Sequence, residues 1–198
     1  MYLLLKRILD RSLSLLFISI LTPLFFILAL AVLISSGSPI IYRQERLGLD
    51  GQLFILYKFR TMVVGAENMK GEFTTTKYDS RSTKLGRFLR GTSLDELPQL
   101  LNVFLGQMSL IGPRPWLEAE VKTHLALEAK VAKMRLSIKP GLTGLAQVKG
   151  RNKLSFEEKL SYDLKYVDMH GWQLFRADLA IIVDTARILL SRSNIYDE

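Results

Sequence analysis

One feature limits the fold of this chain more than any other: from Ser12 to Ile34 there is no charged residue. The run is rich in Leu, Ile and Phe, and it is long enough to cross the apolar core of a bilayer as a helix. A cleaved signal peptide is a poor fit. The apolar run is too long, and Ser35-Ser36-Gly37-Ser38 lacks a convincing cleavage pattern. Thr22-Pro23 stands at the middle of the run. Proline there removes a backbone donor where lipid offers no replacement. Basic residues flank both ends: Lys6, Arg7 and Arg11 before, Arg43 and Arg46 after. Under the positive-inside rule both flanks stay cytoplasmic. A re-entrant helical hairpin breaking at Thr22-Pro23 and a kinked single span both fit these residues. Asp10, one turn from Lys6 and Arg7, is expected to pair with them at the headgroup level.

The rest of the chain is basic. The net charge of +8 and pI near 9.7 suit an anionic partner: nucleic acid, an acidic membrane surface or a phosphorylated substrate. There is no cysteine, so disulfides and thiolate metal sites are excluded. His124 and His170 have no ligand-spaced partners and read as surface or packing residues.

After a Ser-Gly-Ser-Pro punctuation, Ile40-Ile41-Tyr42 and Leu53 to Tyr57 read as strands around a turn at Leu49 to Gln52, forming a hairpin. If the second strand continues, Lys58 and Arg60 share one face. A phosphate contact and a charge-protected edge strand are both open there. Val63 to Ser82 reads as helix and loop. Thr83 to Arg90 is an amphipathic basic helix, with Leu85, Phe88 and Leu89 opposite Lys84, Arg87 and Arg90.

The chemistry concentrates at Ser93-Leu94-Asp95-Glu96-Leu97-Pro98-Gln99-Leu100. Ser93 and Glu96 have capping-box spacing, which ties Glu96 to the backbone and leaves Asp95 free in the first turn. Alternatively the regular helix begins near Leu97-Pro98, with proline in its preferred place. A helix N-terminus beside Arg90 keeps an aspartate ionised and attracts phosphate. Ordinary surface salt bridges fit the same residues. A short helix over Gln99 to Leu105, closed by Gly106, and a buried strand over Met108 to Ile111 follow. Prolines on both sides of Arg114 restrict its backbone and lower the cost of presenting its guanidinium to a phosphate. Trp116 to Ser137 reads as largely helical, with Trp116 and Leu117 as interfacial anchors. Lys139 to Arg151 carries three glycines, a proline and three cations, a pattern suited to close backbone approach to a polyanion. The Walker pattern is absent. Phe156 to Asp168 and Gln173 to Ser191 read as the last two helices.

Four ordered motifs carry a resemblance: Tyr57 to Met62, Ser93 to Leu100, Gly112 to Pro115, and Pro140 to Gly144 with Gly150-Arg151. Together with Lys6 to Asp10 and the Thr22-Pro23 step, they resemble the bacterial sugar transferase family, the monotopic phosphoglycosyl transferases, in its minimal catalytic form. Members often have Ser where Thr22 stands. The resemblance favours the re-entrant hairpin over the single span. It implies an α+β fold, mostly helical, with a short β-hairpin and amphipathic interfacial helices. Residues 1–38 would form the membrane hairpin, with cytoplasmic ends. Residues 39–198 would form a catalytic domain on the cytoplasmic face of the bacterial inner membrane.

The implied reaction moves a sugar 1-phosphate from a UDP-sugar to polyprenyl (undecaprenyl) phosphate, with magnesium, releasing UMP. It would be the first membrane step of glycoconjugate assembly. Asp95 matches the nucleophile, and Glu96 the partner that helps with magnesium or protons. Lys58, Arg90 and Arg114 match phosphate contacts, and Arg151 faces the nucleotide. Two carboxylates are enough for magnesium, which takes substrate phosphates and waters as its other ligands. Two rivals stand beside this reading. One is a membrane-anchored glycosyltransferase that releases UDP. The other is a non-enzymatic basic module for nucleic acid, against which the absence of any recognised motif and the acidic pair both count. The oligomeric state is open, with a homodimer as one option.

Overall fold

A computed structural model describes residues 2–66, 69, 79–124, 129–150 and 153–191. The chain is α+β, and its first element, α1, runs from Tyr2 to Ser36. Helical backbone continues through Thr22-Pro23, where two helices separated by a break are expected, and Pro23 lies inside α1. Proline withholds one donor and leaves neighbouring turns intact. Thr22 Oγ1 spends its proton locally, donating to the Ile18 carbonyl at 2.8 Å. α1 is also long and apolar enough to cross a membrane.

The hairpin is present. Strand β1 (Ile41–Leu47) pairs antiparallel with β2 (Leu53–Phe59), from Ile41 opposite Phe59 to Leu47 opposite Leu53. The turn needs left-handed backbone at Asp50 (φ 53°) and Gly51 (φ 77°). Helix α2 (Lys84–Gly91) follows, with Thr83 Oγ1 accepting from the Gly86 amide at its start. Its glycine is obligatory: a Cβ at Gly86 would lie 1.8 Å from the Thr61 carbonyl oxygen. α2 therefore locks against the chain leaving β2.

Helix α3 (Gln99–Phe104) leads to strand β3 (Ser109–Ile111). Buried Asn102 accepts from the Tyr57 amide (3.1 Å) and donates to the Ile55 carbonyl (2.7 Å), which ties α3 to β2. Helices α4 (Glu118–His124) and α5 (Ala129–Arg135) precede strand β4 (Gly141–Thr143). β3 and β4 are parallel, with Ser109 opposite Gly141 and Ile111 opposite Thr143. Helices α6 (Leu145–Lys149), α7 (Phe156–Val167) and α8 (Gly171–Leu190) complete the chain.

The folded unit touches α1 along almost its whole length. Lys6 pairs with Asp178 at 2.8 Å, and the Tyr2 and Tyr166 hydroxyls donate to the same carboxylate. Asp10 is buried and does not pair with Lys6 or Arg7. It accepts from Ser109 Oγ (2.7 Å) and the Leu110 amide (3.1 Å) on β3. A buried carboxylate needs such donors, and β3 supplies them closer than the helix's own cations. Further along, Leu28 and Val32 pack with Phe59 and Leu89. Arg60, expected beside Lys58 on a strand face, lies past the end of β2 and is buried. Its Nη2 donates to the Ser36 and Gly37 carbonyls, capping the electronegative end of α1.

Candidate active site

Sequence motifs separated by up to fifty residues converge around one turn. Leu94–Glu96 forms a 3-10 turn between α2 and α3. In such a turn residues three apart lie on one side. Leu94 and Leu97 pack into the cluster of Leu28, Val32, Phe59 and Leu89. That anchoring sends Asp95 and Glu96 in the two remaining directions. The predicted capping box does not form. Ser93 takes left-handed backbone (φ 58°), its side chain caps nothing, and the Glu96 side chain bonds elsewhere. Pro98 sits at the N-cap of α3, close to the alternative reading. A capping box does form at Ser155 and Glu158, ahead of α7.

Glu96 Oε1 accepts from Lys58 Nζ at 2.7 Å and from Arg114 Nη2 at 3.2 Å. Burial alone would raise the Glu96 pKa. The charges of Lys58 and Arg114 and their hydrogen bonds together outweigh it, and hold Glu96 well below the usual carboxylate range. Burial lowers Lys58, opposed mainly by Glu96. Glu96 raises Arg114. These three side chains form one braced unit that keeps a net positive charge.

Asp95 differs. It is 7% exposed, and no hydrogen bond or ion pair reaches its carboxylate among the described residues. Burial pushes its pKa up to about 6. The Lys58 charge opposes that rise, the Glu96 charge adds to it, and Arg90 and Arg114 oppose it more weakly. Arg90 acts in the expected direction, toward the ionised form, but desolvation is the largest influence on Asp95. Such an aspartate is ionised at neutral pH, with no protein donor on its carboxylate among the described residues.

Arg114 is exposed between buried Pro113 and Pro115. Its loop is held from behind. Arg135 Nη2 donates to the Arg114 carbonyl at 2.6 Å, and Arg46 Nη1 donates to the Pro115 carbonyl at 3.0 Å. Arg135 is itself buried in an ion pair with Asp163 (2.7 Å), and its guanidinium stacks 3.4 Å over the Trp116 ring. Trp116, expected as an interfacial anchor, is buried between Arg135 and Phe156. Burial, then the Arg114 charge, lowers the Arg46 pKa to about 10. Arg46, Arg135 and Asp163 escape sequence reading because no local spacing links them to Arg114. Their partners lie twenty or more residues away.

Arg90 lies in the last turn of α2, where its Nη1 donates to Ser82 Oγ at 3.0 Å. Arg151 lies outside the described residues. The glycines of the Pro140 segment serve backbone packing. A Cβ at Gly141 would lie 2.0 Å from the Gly112 amide nitrogen, and one at Gly144 2.1 Å from the Gly112 carbonyl oxygen. The close approach is thus between two segments of this chain, which seats the Arg114 loop on β4.

Among the described residues no cluster of three or more His, Asp or Glu is arranged to hold a metal. Asp95 and Glu96 nevertheless offer hard oxygen donors of the kind magnesium takes when phosphates complete its shell. Glu96 Oε1 already serves two cations, so Asp95 is the carboxylate more open to a metal.

A profile of the family described as bacterial sugar transferase matches residues 1–192. A relative from Erwinia amylovora, named UDP-galactose-lipid carrier transferase, is 41% identical over 97% of this chain and 42% of its own length. One from Klebsiella pneumoniae, named UDP-glucose:undecaprenyl-phosphate glucose-1-phosphate transferase, is 42% identical over 89% of this chain and 38% of its own length. The chain thus spans about two-fifths of these relatives. A Bacillus subtilis relative, named uncharacterized sugar transferase EpsL, is 41% identical over 96% of this chain and 90% of its own length.

Proposed function

This chain belongs to the bacterial sugar transferase family, and we propose that it transfers a sugar 1-phosphate from a UDP-sugar to undecaprenyl phosphate at the cytoplasmic face of the inner membrane. The observation that carries the reading is the contrast within the acidic pair. Asp95 is buried and unpartnered, while Glu96 is braced by Lys58 and Arg114. An aspartate in that state suits nucleophilic catalysis, and the surrounding cations suit a diphosphate.

In the first step an Asp95 oxygen attacks the β-phosphorus of the donor. An Asp95 O–P bond forms, the bond from that phosphorus to the bridging oxygen breaks, and UMP leaves with the electron pair. In the second step an oxygen of the lipid phosphate attacks the same phosphorus. The polyprenyl diphosphate sugar forms and Asp95 is released as carboxylate. Lys58 and Arg114 hold Glu96 ionised and offset the charge of the arriving diphosphate. Arg90 adds positive charge near Asp95, and Arg151 is assigned to the nucleotide. Asp95 and Glu96 would hold magnesium, which would supply further charge neutralisation.

The membrane placement is monotopic in this reading. Contacts to one folded unit at Tyr2, Lys6, Asp10, Leu28, Val32 and Ser36 support it. A spanning helix needs an uninterrupted apolar length of about 30 Å clear of the domain. Ser14 is also fully buried and Leu24 packs against the same cluster as Leu28, so the stretch between these two spans only about 15 Å at helical rise. Both ends of α1 then share one side of the membrane, and substrates meet at the headgroup level.

The test uses a panel of UDP-sugars with magnesium and no lipid. A phosphosugar adduct on the peptide containing Asp95, together with stoichiometric UMP, is expected. Release of UDP, or UMP that forms only once lipid is present, overturns the two-step reading.

A further inference from the structure

A second cationic site lies at the other end of α1. A cavity of about 280 Å³ opens between the first turns of α1, strand β3 and the segments before β4 and α8. Its walls include Lys6, Arg7, Lys139 and His170, together with apolar Leu3 and Leu174. None of Lys58, Arg90, Asp95, Glu96 or Arg114 lines it. Arg7 is separated from Leu28, which packs near the Leu94–Glu96 turn, by roughly 30 Å along the helix at 1.5 Å per residue.

The charges here do not balance. Lys6 is neutralised by Asp178, and Asp10 is satisfied by Ser109 and the Leu110 amide. Arg7, Arg11 and Lys139 have no acidic partner within hydrogen-bond range among the described residues. Burial, and then Arg7 and Arg11, lower the Lys139 pKa, with Asp10 as the opposing charge. Arg7 and Lys139, far apart in sequence, have therefore been folded into the walls of one cavity, which Asp10 also lines and near which Arg11 adds charge, at an electrostatic cost that a bound anion lowers.

We propose that this cavity binds the phosphate headgroup of an anionic glycerophospholipid, with Arg7 and Lys139 as the principal contacts and Arg11 adding charge. A lipid is favoured over a soluble anion by what adjoins the cavity. Leu4, Leu5, Ile8 and Leu9 are 65%, 50%, 56% and 43% exposed on the same turns of α1, an apolar surface against which acyl chains can lie. The volume is at or below the lower limit of small-molecule sites, about 300 Å³, so it takes a headgroup and leaves the chains outside. The bound lipid would fix the depth of α1 at the interface. The proposal rests on membrane association of α1 and is independent of the chemistry at Asp95.

The test uses the full chain in phosphatidylcholine nanodiscs with and without phosphatidylglycerol. Native mass spectrometry counts retained lipid, and acetylation reports access to Lys139. The wild-type protein is expected to retain one phosphatidylglycerol with at least tenfold preference over phosphatidylcholine, and that lipid should slow Lys139 acetylation several-fold. Arg7→Gln with Lys139→Gln should lose the preference. Lys122→Gln with Lys165→Gln, which removes the same charge elsewhere, should keep it. Equal loss in both double variants reduces the effect to bulk charge and overturns the site. Protection of Lys139 by inorganic phosphate alone reassigns it to a soluble anion. Retention of undecaprenyl phosphate in place of phosphatidylglycerol reassigns it to the acceptor. The acetylation arm needs no variant, so a misfolded double variant leaves the proposal open to refutation.

Discussion

Lys58 Nζ lies 2.7 Å from Glu96 Oε1, and this bond separates the roles of two adjacent carboxylates. It crosses from β2 to the turn before α3, so it also couples the hairpin to the site. Both side chains are mostly buried, at 16% and 19% exposure. Removing one partner strands the other charge. Lys58→Met is expected to cost about 2 kcal/mol of stability and to lower turnover at least a hundredfold. Adding Glu96→Gln should recover most of the stability without recovering turnover. Equilibrium unfolding and a UMP-release assay measure the two effects, and recovery of both would reduce the pair to a structural role.

The raised pKa of Asp95 gives a pH signature of definite sign. An acid whose folded pKa is about 6, above its unfolded value, binds its proton more tightly in the folded state. Ionised Asp95 therefore destabilises the fold. The penalty is absent below about pH 4, grows between about 4 and 6, and is constant above. Asp95→Asn should abolish turnover and yet raise stability at pH 7.5 by on the order of 2 kcal/mol. The gain should vanish at pH 4. Wild-type kcat/KM should fall about tenfold per unit below pH 6, as the nucleophile becomes protonated. Thermal melts across pH, with an Asn variant no more stable than wild type at pH 7.5, would disprove the buried, unpartnered assignment.

Arg114 presents a planar fork from a loop held by Arg46 and Arg135. Arg114→Lys keeps the charge but loses the fork. It should lower kcat/KM at least tenfold with little change in melting temperature, because Arg114 is half-exposed. Near-normal kinetics for the lysine variant would leave Arg114 only a charge role.

Gly141→Ala separates packing from ligand approach. The added methyl would meet the Gly112 backbone at 2.0 Å, and neither segment can yield without moving the Arg114 loop. A loss of several kcal/mol, or failure to fold, is expected even in the absence of any substrate. A stable, merely inactive variant would restore the reading of this segment as a polyanion cradle.

For α1, epitope tags at Met1 and Glu198 should both report cytoplasm. Pro23→Leu returns a backbone hydrogen bond, and should shift a measurable fraction of the chain toward spanning. A periplasmic tag at Met1 in the wild type would rule out the monotopic placement.

Much of the fold was legible along the chain. The uncharged run, the hairpin turn, the amphipathic α2 and the Gly106 stop depend on local periodicity and backbone preference, which sequence carries directly. The members of the candidate site were also in view along the chain: Asp95, Glu96, Lys58 and Arg114 were all candidates, and the fold brings them together. Their roles were not legible. The spacing of Ser93 and Glu96 fits a capping box, yet Glu96 turns to Lys58 and Arg114 because two cations outweigh one backbone donor. Asp10 sits a turn from two cations and bonds β3, while Arg60 caps α1 and Trp116 is covered by Arg135. Each depends on a partner distant in sequence. Desolvation depends on burial too, and burial exists only once the chain has packed. The sequence determined which groups were available to do chemistry. Tertiary structure decided which carboxylate was left bare.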